Sequence, residues 1–296
     1  MKKIIATAVA TAFVAPAFAA NVTLSGATEW SNVEKSTTST TTTNGAMDTA
    51  FTIGFSTETN NGLAVSGDIN MNASGVHDGG NSISVSGPFG TSTVGDTNGA
   101  MDAIDGATDP FLVVDRDATG TSTSVQNFSD AEFAWTLPAV VEGLTVEVSG
   151  STKDGNSGAI ATNNGSTADM SGIMIGYAAG GFGIKVASQE VGPDSDQGVT
   201  VAYGLDGLSL AYESHQNETT AGVKTNYRAY GATYSMGDIT LAYSNSAEKQ
   251  SGGSDIADTT AFGVHYALGG GVTAFAESAS EDIQSGKPDT TAVGIA

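Results

Sequence analysis

Between residues 260 and 278 the chain reads TAFGVHYALGGGVTAFAES. Phe262, Val264, Tyr266 and Leu268 fall on one side of an extended strand, and Ala261, Gly263, His265 and Ala267 on the other. Successive side chains of a strand point to opposite faces, so this segment has one oily side and one small or polar side. Three glycines then make a turn and a second extended run begins. The oily side must be covered, either by a protein core or by lipid, and that choice decides what the chain folds into.

The same period-2 pattern fills most of the chain. It recurs at Val22/Leu24, Phe51/Ile53/Phe55, Leu63/Val65/Ile69/Met71, Phe133/Trp135/Leu137, Leu144/Val146/Val148, Ile173/Ile175/Tyr177 and Phe182/Ile184/Val186. Further on it recurs at Val199/Val201/Tyr203, Leu208/Leu210/Tyr212, Tyr230/Ala232/Tyr234 and Ile239/Leu241/Tyr243. Helical periodicity is nearly absent. Composition agrees, with 39 glycines, 6 prolines and 14% charged residues in 296, a balance that favours strands and turns over helices.

Connections come in two kinds that alternate. The short kind is glycine-rich: Asn60-Asn61-Gly62, Gly87-Pro88-Phe89-Gly90, Glu142-Gly143, Ala179-Gly180-Gly181, Asp206-Gly207, Gly237-Asp238 and Gly269-Gly270-Gly271. These are hairpin chemistries. The long kind is polar and covers roughly residues 35–46, 73–81, 96–127, 154–168, 191–197, 215–224, 247–256 and 281–288. The first holds the low-complexity run STTSTTTTNG and reads as a mobile loop. Alternating the two kinds predicts about sixteen antiparallel strands in up-and-down order. Short turns at one end and long loops at the other are the pattern of a transmembrane β-barrel.

The polar side supports that choice. Glu29, Glu58, Asp68, Asp130, Glu132, Glu147, Lys185 and Glu213 lie on it. A dry core does not hold that many ionised groups without partners. A water-filled lumen does, and the oily sides then face acyl chains. Closure also leaves no unpaired backbone edge in hydrocarbon. Trp30, Trp135, Tyr177, Tyr203, Tyr212, Tyr243 and Tyr266 fall on the apolar phase, mostly toward strand ends, as interfacial girdles require.

Residues 1–19, MKKIIATAVATAFVAPAFA, read as a secretory signal peptide, with Lys2 and Lys3, an apolar stretch and Ala17-Phe18-Ala19 as cleavage signal. The barrel domain is then residues 20–296. Losing the two lysines with this leader moves the formal charge from −22 to −24. So acidic a chain is no partner for nucleic acid. There are no cysteines, hence no disulfides. No nucleophile elbow, zinc motif or P-loop is present, and none of the three histidines, His77, His215 and His265, has a catalytic partner evident in the sequence.

Taken with the leader and the alternation, the segment GPFGTSTVGD at residues 87–96 resembles the Gram-negative general porins, particularly the proteobacterial trimeric ones. The resemblance spans the mature chain. It implies an outer-membrane location, a homotrimer in the lipid bilayer, and passive diffusion of small hydrophilic solutes and ions. It also implies that the loop after the fifth strand folds inward and narrows the pore. Residues 90–96 are then the fifth strand and residues 97–127 the third loop, which is the longest. Its Asp102, Asp105, Asp109, Asp115 and Asp117, with Arg116, are the candidate constriction residues. Basic residues are expected on the wall opposite, giving a transverse field. Glu29, Asp68, Glu132, Glu147, Lys153, Lys185 and Glu213 are the candidate wall residues, while Arg228 shares the phase of Tyr230 and faces headgroups. Members of that family end in an aromatic residue, but this chain stops at Ala296, so its last strand is read as a few residues short.

The expected selectivity is weakly cationic, since carboxylates outnumber bases in the lumen. No cofactor is expected. Ca²⁺ is the one candidate, because clustered loop carboxylates supply the oxygen ligands it takes. Two other classes remain. A secreted β-sandwich or adhesin would be soluble without detergent. A barrel enzyme would need His215 or His265 in a catalytic group on neighbouring strands.

Overall fold

Sixteen strands follow one another and close into a single antiparallel barrel, each pairing with its neighbours in sequence and the last with the first. They are β1 (Asn21–Ser36), β2 (Thr41–Glu58), β3 (Ala64–Asn72), β4 (Ser82–Gly87), β5 (Gly90–Thr97), β6 (Ala131–Thr136), β7 (Leu144–Ser151) and β8 (Met170–Ala179). The second half holds β9 (Phe182–Val191), β10 (Asp194–Leu205), β11 (Leu208–Glu218), β12 (Lys224–Met236), β13 (Ile239–Gln250), β14 (Asp255–Gly269), β15 (Val272–Ile283) and β16 (Asp289–Ile295). The computed structural model describes residues 21–37, 39–72, 81–104, 106–114, 131–151, 169–219, 221–253, 255–283 and 287–296. The leader at residues 1–19 lies outside them.

The register carries one phase of each strand into the same phase of the next. Gly176, Lys185, Thr200, Glu213, Ala229, Ser246, Thr259 and Glu281 succeed one another across β8 to β15 in this way. On β14 that phase holds Ala261, fully buried, while Phe262 on the other is 58% exposed, with Val264, Tyr266 and Leu268 exposed beside it. The large apolar side chains therefore cover the outside of the barrel. Tyr212 packs against Tyr230 and Tyr243 against Phe262 in tilted pairs, each with centroids 5.1 Å apart. Outer-phase Trp135 donates its Nε1 proton to the Phe89 carbonyl at 2.9 Å, tying it to the neighbouring turn. Arg228 lies on this outer phase, as its parity requires, and is exposed.

The tight turns use the predicted residues. Asp206 and Gly207 both have positive φ, 45° and 83°, the mirror-image turn whose twist suits a hairpin. The opposite ends differ from expectation. The Thr-rich run is not a long loop: β1 continues to Ser36, β2 begins at Thr41, and Thr41 to Asn44 pair with Ser36 to Val33. Threonine is β-branched and fits a pleated surface, and Ser36 and Thr41 share a hydroxyl hydrogen bond of 3.1 Å. Residues 191–197 are likewise mostly strand, turning at Gly192 with φ 58°. The connections after β11, β13 and β15 are also shorter than predicted. Polarity was the misleading signal, because strands that rise beyond the membrane are polar on both faces.

Candidate channel constriction

The third loop leaves β5 and, over its described part, runs along the inner face of the barrel. Ala100 donates its N–H to Ser149 Oγ on β7 at 2.8 Å. Lys185 on β9 donates Nζ to the Ala103 carbonyl at 2.8 Å, and Thr200 on β10 donates its hydroxyl to the Ile104 carbonyl. Thr108 donates to Glu213 Oε2 on β11 at 3.0 Å. Leu112, Val113 and Val114 donate three successive N–H groups to the Glu277 carboxylate on β15, at 2.8, 3.0 and 2.9 Å. β7 and β15 stand eight strands apart in a barrel of sixteen, so the loop straps half the circumference from within.

Apolar contacts set this path together with the polar pins. Ala100, Met101 and Ile104 pack on Met174 of β8 and Ala187 of β9. Val114 packs with Ala261, Phe275, Ala279 and Ala292, with Phe111, Val113 and Val33 around them. The loop covers these inward apolar residues. Burying them removes apolar area from water at about 25 cal/mol per Å², and the hydrogen bonds fix the register.

The two glutamates under the strap are each bonded to a histidine. Glu213 is fully buried, and its other oxygen pairs with His215 Nε2. Glu277 is 4% exposed, and its Oε1 lies 2.8 Å from His265 Nε2. The two histidines thus have carboxylate partners that the sequence did not disclose. In both cases the same carboxylate holds the loop, so the pairs serve its position. Charge-assisted bonds of this kind are about twice as strong as neutral ones. Glu213, expected to line the lumen, lies on the inner phase but beneath the strap, where Thr108 covers it.

The other predicted residues fall as follows. Asp102 opens a 3₁₀ turn, Asp102–Ile104, and Asp109 accepts the Phe111 N–H at 3.4 Å; both are half-buried. Asp105, Asp115, Arg116, Asp117, Asp130 and Lys153 lie outside the described residues. Glu29, Asp68, Glu132, Glu147 and Lys185 all take the inner phase. Asp68 accepts Asn70 Nδ2 and Ser82 Oγ, each at 2.9 Å, and Glu147 accepts Thr136 Oγ1 at 3.0 Å. Ser84 with Thr93 and Ser86 with Thr91 complete a hydroxyl-rich wall at 2.7 and 2.9 Å.

The wall left uncovered by the strap, from β2 to β6, differs from the expected basic one. Its inner phase carries Asp48, Glu58, Asp68 and Glu132. No lysine or arginine occurs from residue 36 to residue 115. Lys185, on the strap side, is engaged by the Ala103 carbonyl. Among the described residues, the field across the opening therefore comes from carboxylates facing the loop, without an opposing basic cluster.

A family profile described as Gram-negative porin matches residues 6–284. The chain belongs to the Gram-negative porin family. Comparison with curated proteins gives no match. Among solved structures, a porin refined at 1.8 Å resolution is 16% identical, with 93% of this chain and 99% of that one covered and a TM-score of 0.71. An anion-selective porin from Comamonas acidovorans is 14% identical, with 93% and 98% covered and a TM-score of 0.71. OmpF of Salmonella typhi, in complex with daunomycin, is 18% identical, with 92% and 96% covered and a TM-score of 0.68. At such identities the likeness is one of fold, and it agrees with the closed sixteen-strand barrel. This porin is an outer-membrane channel protein. Its family and fold are of a channel class rather than an enzyme class.

Proposed function

We propose that this porin is a passive, weakly cation-selective channel for small hydrophilic solutes. The observation that carries the reading is the acidic wall: carboxylates on β2 to β6, no lysine or arginine across residues 36–115, and, of the described inner-phase lysines, Lys185 held by a loop carbonyl and Lys35 at the end of β1. Carboxylates along a narrow water-filled passage raise the local concentration of cations and oppose anions. Fold does not decide the sign, since a porin of similar fold is anion-selective; the lining does. The strap acts as the sieve, and no energy input enters.

Reversal potential across a planar bilayer under a KCl gradient tests this. A potential of the sign set by K⁺ is expected, shrinking toward zero as salt rises, because screening extends only about 8 Å at physiological ionic strength. A chloride-favouring potential would overturn it.

The family supports a homotrimer, and one solved structure of similar fold, OmpT of Vibrio cholerae, is described as a trimer form. Conductance rising in threes, with a heat-modifiable trimer band on gels, is the expected result. Export by the leader predicts that the purified mature protein begins at Ala20 or Asn21, which N-terminal sequencing reads directly. The calcium reading rests on Asp102, Asp105, Asp109, Asp115 and Asp117. Conductance and thermal unfolding insensitive to chelator would remove it.

A further inference from the structure

Gly231 sits on the inner phase of β12, in register with Ala211 of β11 and Ser244 of β13. A Cβ placed there would stand 2.6 Å from Thr108 Cα and 2.9 Å from the Thr108 carbonyl oxygen. That is roughly 1 Å inside the distance at which carbon atoms pack. The obstacle is loop backbone, so no side-chain rotation makes room. That backbone is also held on both sides of residue 108, by Lys185 and Thr200 on the Ala103 and Ile104 carbonyls and by residues 112–114 on Glu277.

Gly198 on β10 has the same relation to the loop through a different atom. A Cβ there would run into Ile104 Cδ1, whose side chain is fully buried among Met101, Met174 and Ala187 and has little room to turn away, and would stand 3.0 Å from the Ser214 carbonyl oxygen of the wall. Gly183, on the inner phase of β9, is the contrast: a Cβ there would have nothing within 4 Å. The space vacated by side chains at 198 and 231 is filled by the strap, while at 183 it is open lumen.

We propose that Gly231 and Gly198 are the bore-determining residues of this channel. By carrying no side chain they let the loop lie flush on the wall, which leaves the passage between the strap and β2 to β6 at its full width. Any side chain at 231 bows the middle of the strap away from β12 into the passage, since its two ends stay bonded. The inference goes beyond the selectivity reading, because it concerns the size of permeant solutes and alters no charge.

The test uses Gly231→Ala, Gly231→Val, Gly198→Ala and Gly183→Ala in the full-length protein, folded as judged by heat-modifiable gel mobility. Unit conductance should fall from wild type to Gly231→Ala to Gly231→Val. The largest neutral sugar admitted in liposome swelling should shrink in the same order, with the reversal potential unchanged. Gly198→Ala should also lose conductance and regain it with Ile104→Ala, and Gly183→Ala should match wild type. Should Gly231→Ala not fold, the Gly198→Ala loss and its rescue decide the matter. Wild-type conductance and sugar cut-off in folded Gly231→Ala and Gly198→Ala would overturn the proposal, as would a rise in conductance. A chloride-favouring potential with these size effects intact would sink the selectivity reading alone.

Discussion

The Glu277 carboxylate accepts the backbone N–H of Val114 at 2.9 Å across 163 residues of sequence, together with those of Leu112 and Val113. One side chain of β15 thereby holds the end of a strap that begins on β7. A hydrogen bond to a charged group contributes about 1.5–3 kcal/mol, and three converge here beside His265. Glu277→Ala leaves those amides without their acceptor. Single-channel traces of this variant should flicker and show a larger mean conductance, with the barrel still folded. Glu277→Gln, which keeps one amide oxygen, should fall between. Traces as quiet as wild type in both variants would mean that the apolar contacts of Phe111 and Val114 hold the loop alone.

Thr108 and Glu213 make the mid-strap pin at 3.0 Å, and Glu213 is fully buried. Thr108→Val is close in shape but removes the donor, leaving a buried carboxylate with one fewer partner. Such a loss costs about 1–3 kcal/mol. The temperature at which the folded band disappears on SDS gels should drop, whereas Thr145→Val, on the inner phase of β7 and exposed, should leave it unchanged.

The barrel is legible in residues 260–268 because a pleat repeats every two residues, so one misplaced polar residue would show. Lumen parity followed for Glu29, Asp68, Glu132, Glu147 and Lys185 by the same rule. The extent of β1 and β2 was not legible: threonine-rich sequence above the membrane has no oily face to mark it as strand. Nor was the role of Glu277. A carboxylate on the inner phase looks alike in sequence whether it meets water or three amides from a loop far away in the chain. Gly231 reads as one more small inner residue until the Thr108 backbone is seen against it.

Charge removal on the uncovered wall should reduce cation preference without changing bore. Asp68 accepts from Asn70 and Ser82, so Asp68→Asn risks its hydrogen bonds, while Glu58 is exposed on the same phase of β2. Glu58→Gln and Glu132→Gln combined are expected to move the reversal potential toward zero at about 0.1 M salt. The shift should be much smaller near 1 M, where screening shortens to about 3 Å. An equal shift at both salt concentrations would mean that the effect is not electrostatic.

Val201 and Ala202 are neighbours on β10 that point to opposite sides of the wall. Val201 shares the outer phase with Tyr203 and pairs with Ile184 and Tyr212; Ala202 pairs with Gly183 and Ala211 on the inner phase. An arginine on the lipid face costs about 2–4 kcal/mol at mid-membrane and less toward the interfaces, since its charge loses water and gains no partner. Val201→Arg should therefore unfold at lower denaturant in lipid vesicles. Ala202→Arg enters the lumen beside the open space at Gly183, so it should keep wild-type stability and shift the reversal potential toward anions. If the two variants exchanged these phenotypes, the oily phase would face inward and the water-filled channel would be lost with it.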